Sequence, residues 1–129
     1  MEALSIQATR STPAIQFDPD LKRLEIRGES YPEDVNTFYD PILSWMETFL
    51  QSVTHEDTIE LHLKISYFNS SSSKIFLDIF DLLNSKAVSG SPVHIYWHHH
   101  TNNEMSREYG EEFREELTAA QFYLVEQHT

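Results

Sequence analysis

The amino-acid sequence predicts an α/β domain built on one mixed β-sheet, opened by an N-terminal hairpin and continued by alternating helices and strands. Three observations carry that prediction. Short segments alternate apolar and polar residues with a period of two, at Leu21 to Arg27, Thr58 to Phe68 and Val93 to Trp97. Between them lie stretches whose apolar residues recur every three or four positions, the spacing of one buried helical stripe. The length of 129 residues suits one domain, and such a chain buries roughly two-thirds of the surface it exposes when unfolded.

Pro13 to Phe17 reads as a first strand, and Asp18-Pro19-Asp20 as a turn. Leu21 to Arg27 returns with Leu24 and Ile26 on one face, and Gly28 is expected to end it. Pro32-Glu33-Asp34 then opens a helix, because proline suits a first turn and acids suit its positive end. Val35, Phe38, Ile42, Trp45, Phe49 and Val53 form its expected stripe, with a kink or break near Asp40 imposed by Pro41. In Thr58 to Phe68, Ile59, Leu61, Leu63, Ile65 and Tyr67 alternate with Glu60, His62, Lys64 and Ser66. A second helix follows, with Ile75, Phe76, Ile79, Phe80, Leu82 and Leu83 at helical spacing. Ser89-Gly90-Ser91-Pro92 makes a loop before the strand of Val93, Ile95 and Trp97. Asn102-Asn103 caps a polar helix to about Leu117, with Met105, Tyr109 and Phe113 on one side. Gln121 to Glu126 is the last strand. The order is β-β-α-β-α-β-α-β, and strands joined through helices favour parallel neighbours. Residues 1–129 read as one domain, with its two ends the parts expected to be flexible.

Composition narrows the function. Cysteine is absent, which removes disulfides, thiolate metal sites and cysteine nucleophiles together. Nine basic residues against 21 acidic ones give a net charge of -12. Such a surface repels phosphate backbones and anionic lipid, so nucleic acid and membrane are not expected as partners. Met1-Glu2-Ala3-Leu4 carries no basic segment before an apolar core, and no apolar run approaches the ~20 residues of a membrane span. A cytoplasmic protein is expected. With glycine only at 28, 90 and 110, neither a phosphate-cradling nor a dinucleotide-binding loop is present, and no cofactor is expected.

The informative segment is Tyr67-Phe68-Asn69-Ser70-Ser71-Ser72-Ser73-Lys74, where a strand ends and an apolar helix begins. A helix start presents unpaired amides and partial positive charge. Asn69 and the serines suit the cap position, and capping alone accounts for such a run. A phosphate on one of them adds about -1.5 to -2 charges, within one turn of Lys74. Its larger effect falls on a docked partner, through repulsion and desolvation.

Across nearly its whole length the chain resembles the SiaC family of bacterial regulatory phosphoproteins. The matching pieces are Ser11-Thr12-Pro13-Ala14-Ile15, Gly28-Glu29-Ser30-Tyr31-Pro32-Glu33 and Tyr67-Phe68-Asn69-Ser70-Ser71-Ser72, followed by Asp78-Ile79-Phe80-Asp81-Leu82-Leu83, Pro92-Val93 with Trp97-His98, and Glu111-Glu112-Phe113-Arg114-Glu115. The resemblance implies a STAS-like domain that switches partners and is not an enzyme. It implies that a serine/threonine kinase modifies the hydroxyl residue after the Asn, here Ser70, and that a PP2C-type phosphatase reverses this. It implies that the unmodified form binds an effector, a diguanylate cyclase in the resembled family, with consequences for c-di-GMP signalling and biofilm formation. Where this chain has Ser70 the family pattern also holds threonine, and the serine run offers Ser71 and Ser72 as alternate acceptors. Asn69, Ser71, Ser72, Lys74 and Tyr31 are the expected partner-facing residues. A constitutive scaffold using the same face without a phosphate is the alternative.

Two rival sites remain. His98-His99-His100 invites a metal, but on a strand His98 and His100 share one face and His99 faces away, and Glu104 joins them only if a loop folds back. A serine hydrolase with His62 or His94 as base lacks a Gly-x-Ser-x-Gly elbow. Glu111-Glu112 and Glu115-Glu116 read as a solvated helix face. Tyr31, in Ser30-Tyr31-Pro32-Glu33, is read either as part of a helix-starting turn or as the border of a docking surface.

Overall fold

The computed structural model describes residues 1–128. Its six strands stand in sequential order, β1 (Leu4–Ile6), β2 (Ala14–Asp18), β3 (Arg23–Ser30), β4 (Ile59–Phe68), β5 (Val93–His100) and β6 (Gln121–Gln127). The first three form an antiparallel meander, and β3 to β6 run parallel. Helices α1 (Val35–Ser52), α2 (Ser70–Val88) and α3 (Glu104–Glu115) fill the three parallel crossovers. The mixed sheet with an N-terminal hairpin is therefore the one expected, with β1 added at its edge. That strand has only three residues, Leu4-Ser5-Ile6, too few for alternation to register. Leu4 and Ile6 pack on the core, so this part of the N-terminus is held rather than loose. No described helix is long and apolar enough to cross a membrane.

Parallel crossovers of one hand stepping one way along a sheet place their helices on the same face. The core lies there, between the helices and Ile15, Phe17, Leu24, Ile26, Leu61, Leu63, Ile95 and Trp97. The other sheet face stays open and carries Glu25, Glu60, His62, Lys64, His94, Tyr96 and His98.

Several local expectations are corrected. Helix α1 begins one residue after Asp34, whose carboxylate accepts the Thr37 amide at 3.1 Å, so Pro32 stands outside it. It continues through Pro41 without a break. An interior proline costs ~3 kcal/mol, but burial of Tyr39, Ile42, Met46, Phe49 and Leu50 offsets this at about 1.5–3 kcal/mol for each large side chain. The buried stripe is centred on Tyr39 and Met46, with Phe38 and Trp45 flanking it half-buried. Strand β3 does not stop at Gly28. It passes through that residue at φ +126°, a left-handed conformation open to glycine, and the β3–β4 register slips by one between Gly28 and Glu29.

The slip has a consequence for β4. Gly28 stands opposite Ile65, but Glu29 stands opposite Tyr67, which leaves Ser66 as the extra residue. Alternation is inverted beyond it. Tyr67, expected inside, is 53% exposed. Phe68 turns inward, with ring centroids 5.4 Å from Phe76 and 5.7 Å from Trp97.

Helix α3 is also rotated from its expected setting. Met105 and Tyr109 are exposed, and the face packed on the sheet is Ser106, Gly110 and Phe113. Small residues allow this approach. A Cβ on Gly110 would lie 2.5 Å from Leu124 Cδ2 and 2.7 Å from Trp97 Cδ1. The Trp97 indole N–H donates to the Ser106 carbonyl at 2.9 Å and locks the contact.

Candidate functional site

Strand β4 ends and α2 starts beside the first turn of α3, and a groove of about 610 Å³ opens between them. Ser66, Tyr67, Phe68, Asn69 and Ser70 line one wall, and Asn103, Met105, Ser106 and Tyr109 the other. The bulge at Ser66 and the rotation of α3 both contribute, since they turn Tyr67, Met105 and Tyr109 outward. Sequence reasoning placed all three on buried faces. The Ser106–Gly110 spacing carried a signal for α3, because small residues four apart mark a close-packed helix face. Nothing local marked the bulge.

Asn69 caps α2: its side-chain oxygen accepts the Ser72 amide at 2.9 Å, and its carbonyl accepts the Ser73 amide at 3.0 Å. The Asn69 amide donates to the Ser30 carbonyl at 3.1 Å, which ties the cap to the end of β3. Ser70 is the first residue of the helix and is exposed, as are Ser71 and Lys74. Ser70 and Lys74 are four apart, one helical turn. Tyr31 is half-buried and meets Tyr67 edge-on at 5.6 Å between ring centroids. The structure thus brings Tyr31, Tyr67, Asn69 and Ser70 to one end of the sheet. It does not bring Ser72 to that surface. Ser72 is 0% exposed, and its hydroxyl is engaged by Ser30, so it is withdrawn as an alternate acceptor and as a partner contact.

The histidines occupy a different place. In β5, His98 lies on the open sheet face, His99 is buried and His100 is exposed at the strand end. His98 pairs with His62 at 3.0 Å and not with His100. Glu60 accepts from the other His62 nitrogen at 3.0 Å, and Gln127 lies 3.0 Å from the other His98 nitrogen. These contacts join Gln127, His98, His62 and Glu60 in one row, with the Glu60 carboxylate accepting at its end. Burial, together with the nearby His62 and Lys64, pushes His98 down to about 4. The bond from His62 holds the Glu60 carboxyl below its ordinary value. Among the described residues no three His, Cys, Asp or Glu side chains converge as metal ligands. Glu104 is engaged elsewhere, with Arg107 at 3.1 Å. His94 bonds Tyr123 at 2.9 Å, so neither His62 nor His94 is set as a base for a serine.

A model described as SiaC family regulatory phosphoprotein matches residues 6–127 of the chain. An uncharacterized protein of Pseudomonas aeruginosa strain UCBPP-PA14 is 41% identical over 118 residues, 92% of each sequence. The crystal structure of apo-SiaC from Pseudomonas aeruginosa superposes with a TM-score of 0.86 at 38% identity, covering 98% of this chain and 99% of that one. A chain in the crystal structure of the diguanylate cyclase SiaD in complex with its activator SiaC, from the same organism, also gives 0.86, at 39% identity and the same coverage.

Proposed function

The chain belongs to the SiaC family of regulatory phosphoproteins, and from that premise we propose that it is a partner switch whose acceptor hydroxyl is Ser70. The unmodified protein docks an effector in the groove beside Ser70. A serine/threonine kinase places phosphate on Ser70 and releases the effector, and a PP2C-type phosphatase restores binding. A diguanylate cyclase is the effector class this reading favours, since a similar SiaC is the activator of one. The protein itself acts in the cytoplasm by binding and carries out no catalysis.

One observation carries the reading: an exposed serine, the first residue of a helix, forms part of the wall of a groove whose outer rim is aromatic and apolar. Tyr67, Met105 and Tyr109 are 53%, 67% and 38% exposed there, and a rim of solvent-facing apolar side chains supports docking of a partner. A neutral hydroxyl is compatible with a partner seated on that rim. A phosphate of about -1.5 to -2 charges in the same place must either stay hydrated, which opens the contact, or lose its hydration at a cost of several kcal/mol. The helix start and Lys74 stabilise the modified free form by about 0.3–1 kcal/mol, so they favour release too.

The test compares affinity for a purified diguanylate cyclase across wild type, Ser70→Ala and Ser70→Glu, by calorimetry. Ser70→Ala is expected to bind like wild type and Ser70→Glu at least about 100-fold more weakly, which is about 2.7 kcal/mol. Equal affinity of the two variants would identify a constitutive scaffold and end the switch reading.

A further inference from the structure

The four serines that open α2 are not equivalent. Ser70 and Ser71 face solvent. The Ser73 hydroxyl donates to the Ser70 carbonyl at 2.8 Å. The Ser72 hydroxyl lies 2.8 Å from that of Ser30, and Ser30 in turn is hydrogen-bonded to the Tyr39 hydroxyl. Ser72, Ser30 and Tyr39 are each 0% exposed. Three elements meet at this chain of hydroxyls: the last residue of β3, the first turns of α1 and the first turn of α2.

Ser72 sits at the head of the inward stripe of α2, which continues through Ile75, Phe76, Ile79 and Leu83. An apolar residue there would pack in any nearby rotation. A buried hydroxyl has a stricter requirement, because it needs a partner in one direction. Successive residues turn by about 100° around a helix, so holding Ser72 inward sends Ser70 and Ser71 outward. Burial drives the Tyr39 phenol up to about 12, against a smaller opposing effect of Ser30, so it stays neutral and keeps its proton for the chain.

We propose that Ser30 and Tyr39 are positioning residues for the acceptor: they hold Ser72 in the core, set the rotation of the first turn of α2, and thereby offer Ser70 and Ser71 to a kinase while withholding Ser72. This rests on the phosphate-switch reading for its purpose, but the anchor is a separate physical claim. Ser30 precedes Tyr31, and the Ser30 carbonyl accepts the Asn69 amide, so the same anchor joins the acceptor turn to the aromatic border of the groove.

The experiment uses the full chain with Ser30→Ala and Tyr39→Phe, each deleting one hydroxyl without adding bulk. Ile59→Val, a core change on β4 away from the anchor, serves as a destabilised control. Hydrogen exchange of the Ser72 and Ser73 amides is followed, and phosphorylated residues are mapped by mass spectrometry on protein recovered from native cells. Exchange at these amides is expected to rise roughly five- to tenfold in both hydroxyl variants, the worth of one buried hydrogen bond. Phosphate is expected on Ser70 or Ser71 in wild type and partly on Ser72 in the variants. Ile59→Val should change neither. Unchanged exchange in both hydroxyl variants, an equal rise in the control, or phosphate on Ser72 in wild type overturns the proposal. A wild type without phosphate in this segment overturns the switch reading instead, and the exchange measurement then still decides whether the anchor exists.

Discussion

Two polar clusters of this molecule look alike in sequence and differ in structure. Both are runs of one residue type, Ser70 to Ser73 and His98 to His100, and each run sits at a strand end or helix start. On the open sheet face, His62 and His98 use their ring nitrogens on each other, on Glu60 and on Gln127. At the start of α2 the polar groups are divided: Ser72 and Ser73 are engaged by protein, whereas Ser70 and Ser71 are turned to solvent beside an apolar groove. A closed network stabilises and orders a surface, and an open one has capacity left for a modifying group or a partner. The His62–His98 pairing is thus structural, and the serine turn is the place to look for regulation.

The largest expected effect breaks or confirms that contrast directly. Ser70→Glu should weaken effector binding by at least about 100-fold, whereas a His98→Gln protein should bind the effector like wild type, in the same calorimetric titration. Next comes the packing that forms the groove. Gly110→Ala should destabilise the fold by about 1–3 kcal/mol, read from urea unfolding, because its new methyl meets Trp97 and Leu124. Met105→Ala should leave the unfolding midpoint in place, since the side chain is exposed, yet lower effector affinity by roughly 5–30-fold. Asn69→Ala removes the cap and should cost about 1 kcal/mol of stability.

The smallest effect concerns pH. The folded protein keeps His98 neutral down to about 4, whereas the unfolded chain takes up that proton near 6.5. Over that interval the unfolded state binds more protons, so this contribution to stability is complete above about 6.5 and is lost as pH falls towards about 4. His98→Gln keeps an N–H to offer His62 and should flatten the dependence of the unfolding free energy on pH in that window. The response is moderated by solvent, because His98 is only half-buried.

Much of this is legible in the amino-acid sequence. The period-two alternation of β5 and of β4 as far as Ile65, the apolar stripe of α2 and the caps at Asn69 and Asn103 belong to neighbours in sequence, and each appeared where the pattern placed it. The helix start at the serine run followed from the same local chemistry. The missing parts depended on distant residues. Tyr67 and Phe68 exchanged faces because a positive φ at Gly28 on another strand shifted the register. Met105 and Tyr109 turned outward because Trp97, on β5, needed the small face of Ser106 and Gly110. Ser72 was withdrawn because Ser30, 42 positions earlier, took its hydroxyl.

By itself, then, the amino-acid order determined every element but the short edge strand β1, the acidic surface and a serine-rich helix start, since propensity, periodicity and capping act over a few residues. Only the tertiary structure decided which serines face solvent and which aromatics surround them. Those outcomes are settled by rotation of a helix and register of a strand, and both are set by contacts between segments far apart in the chain.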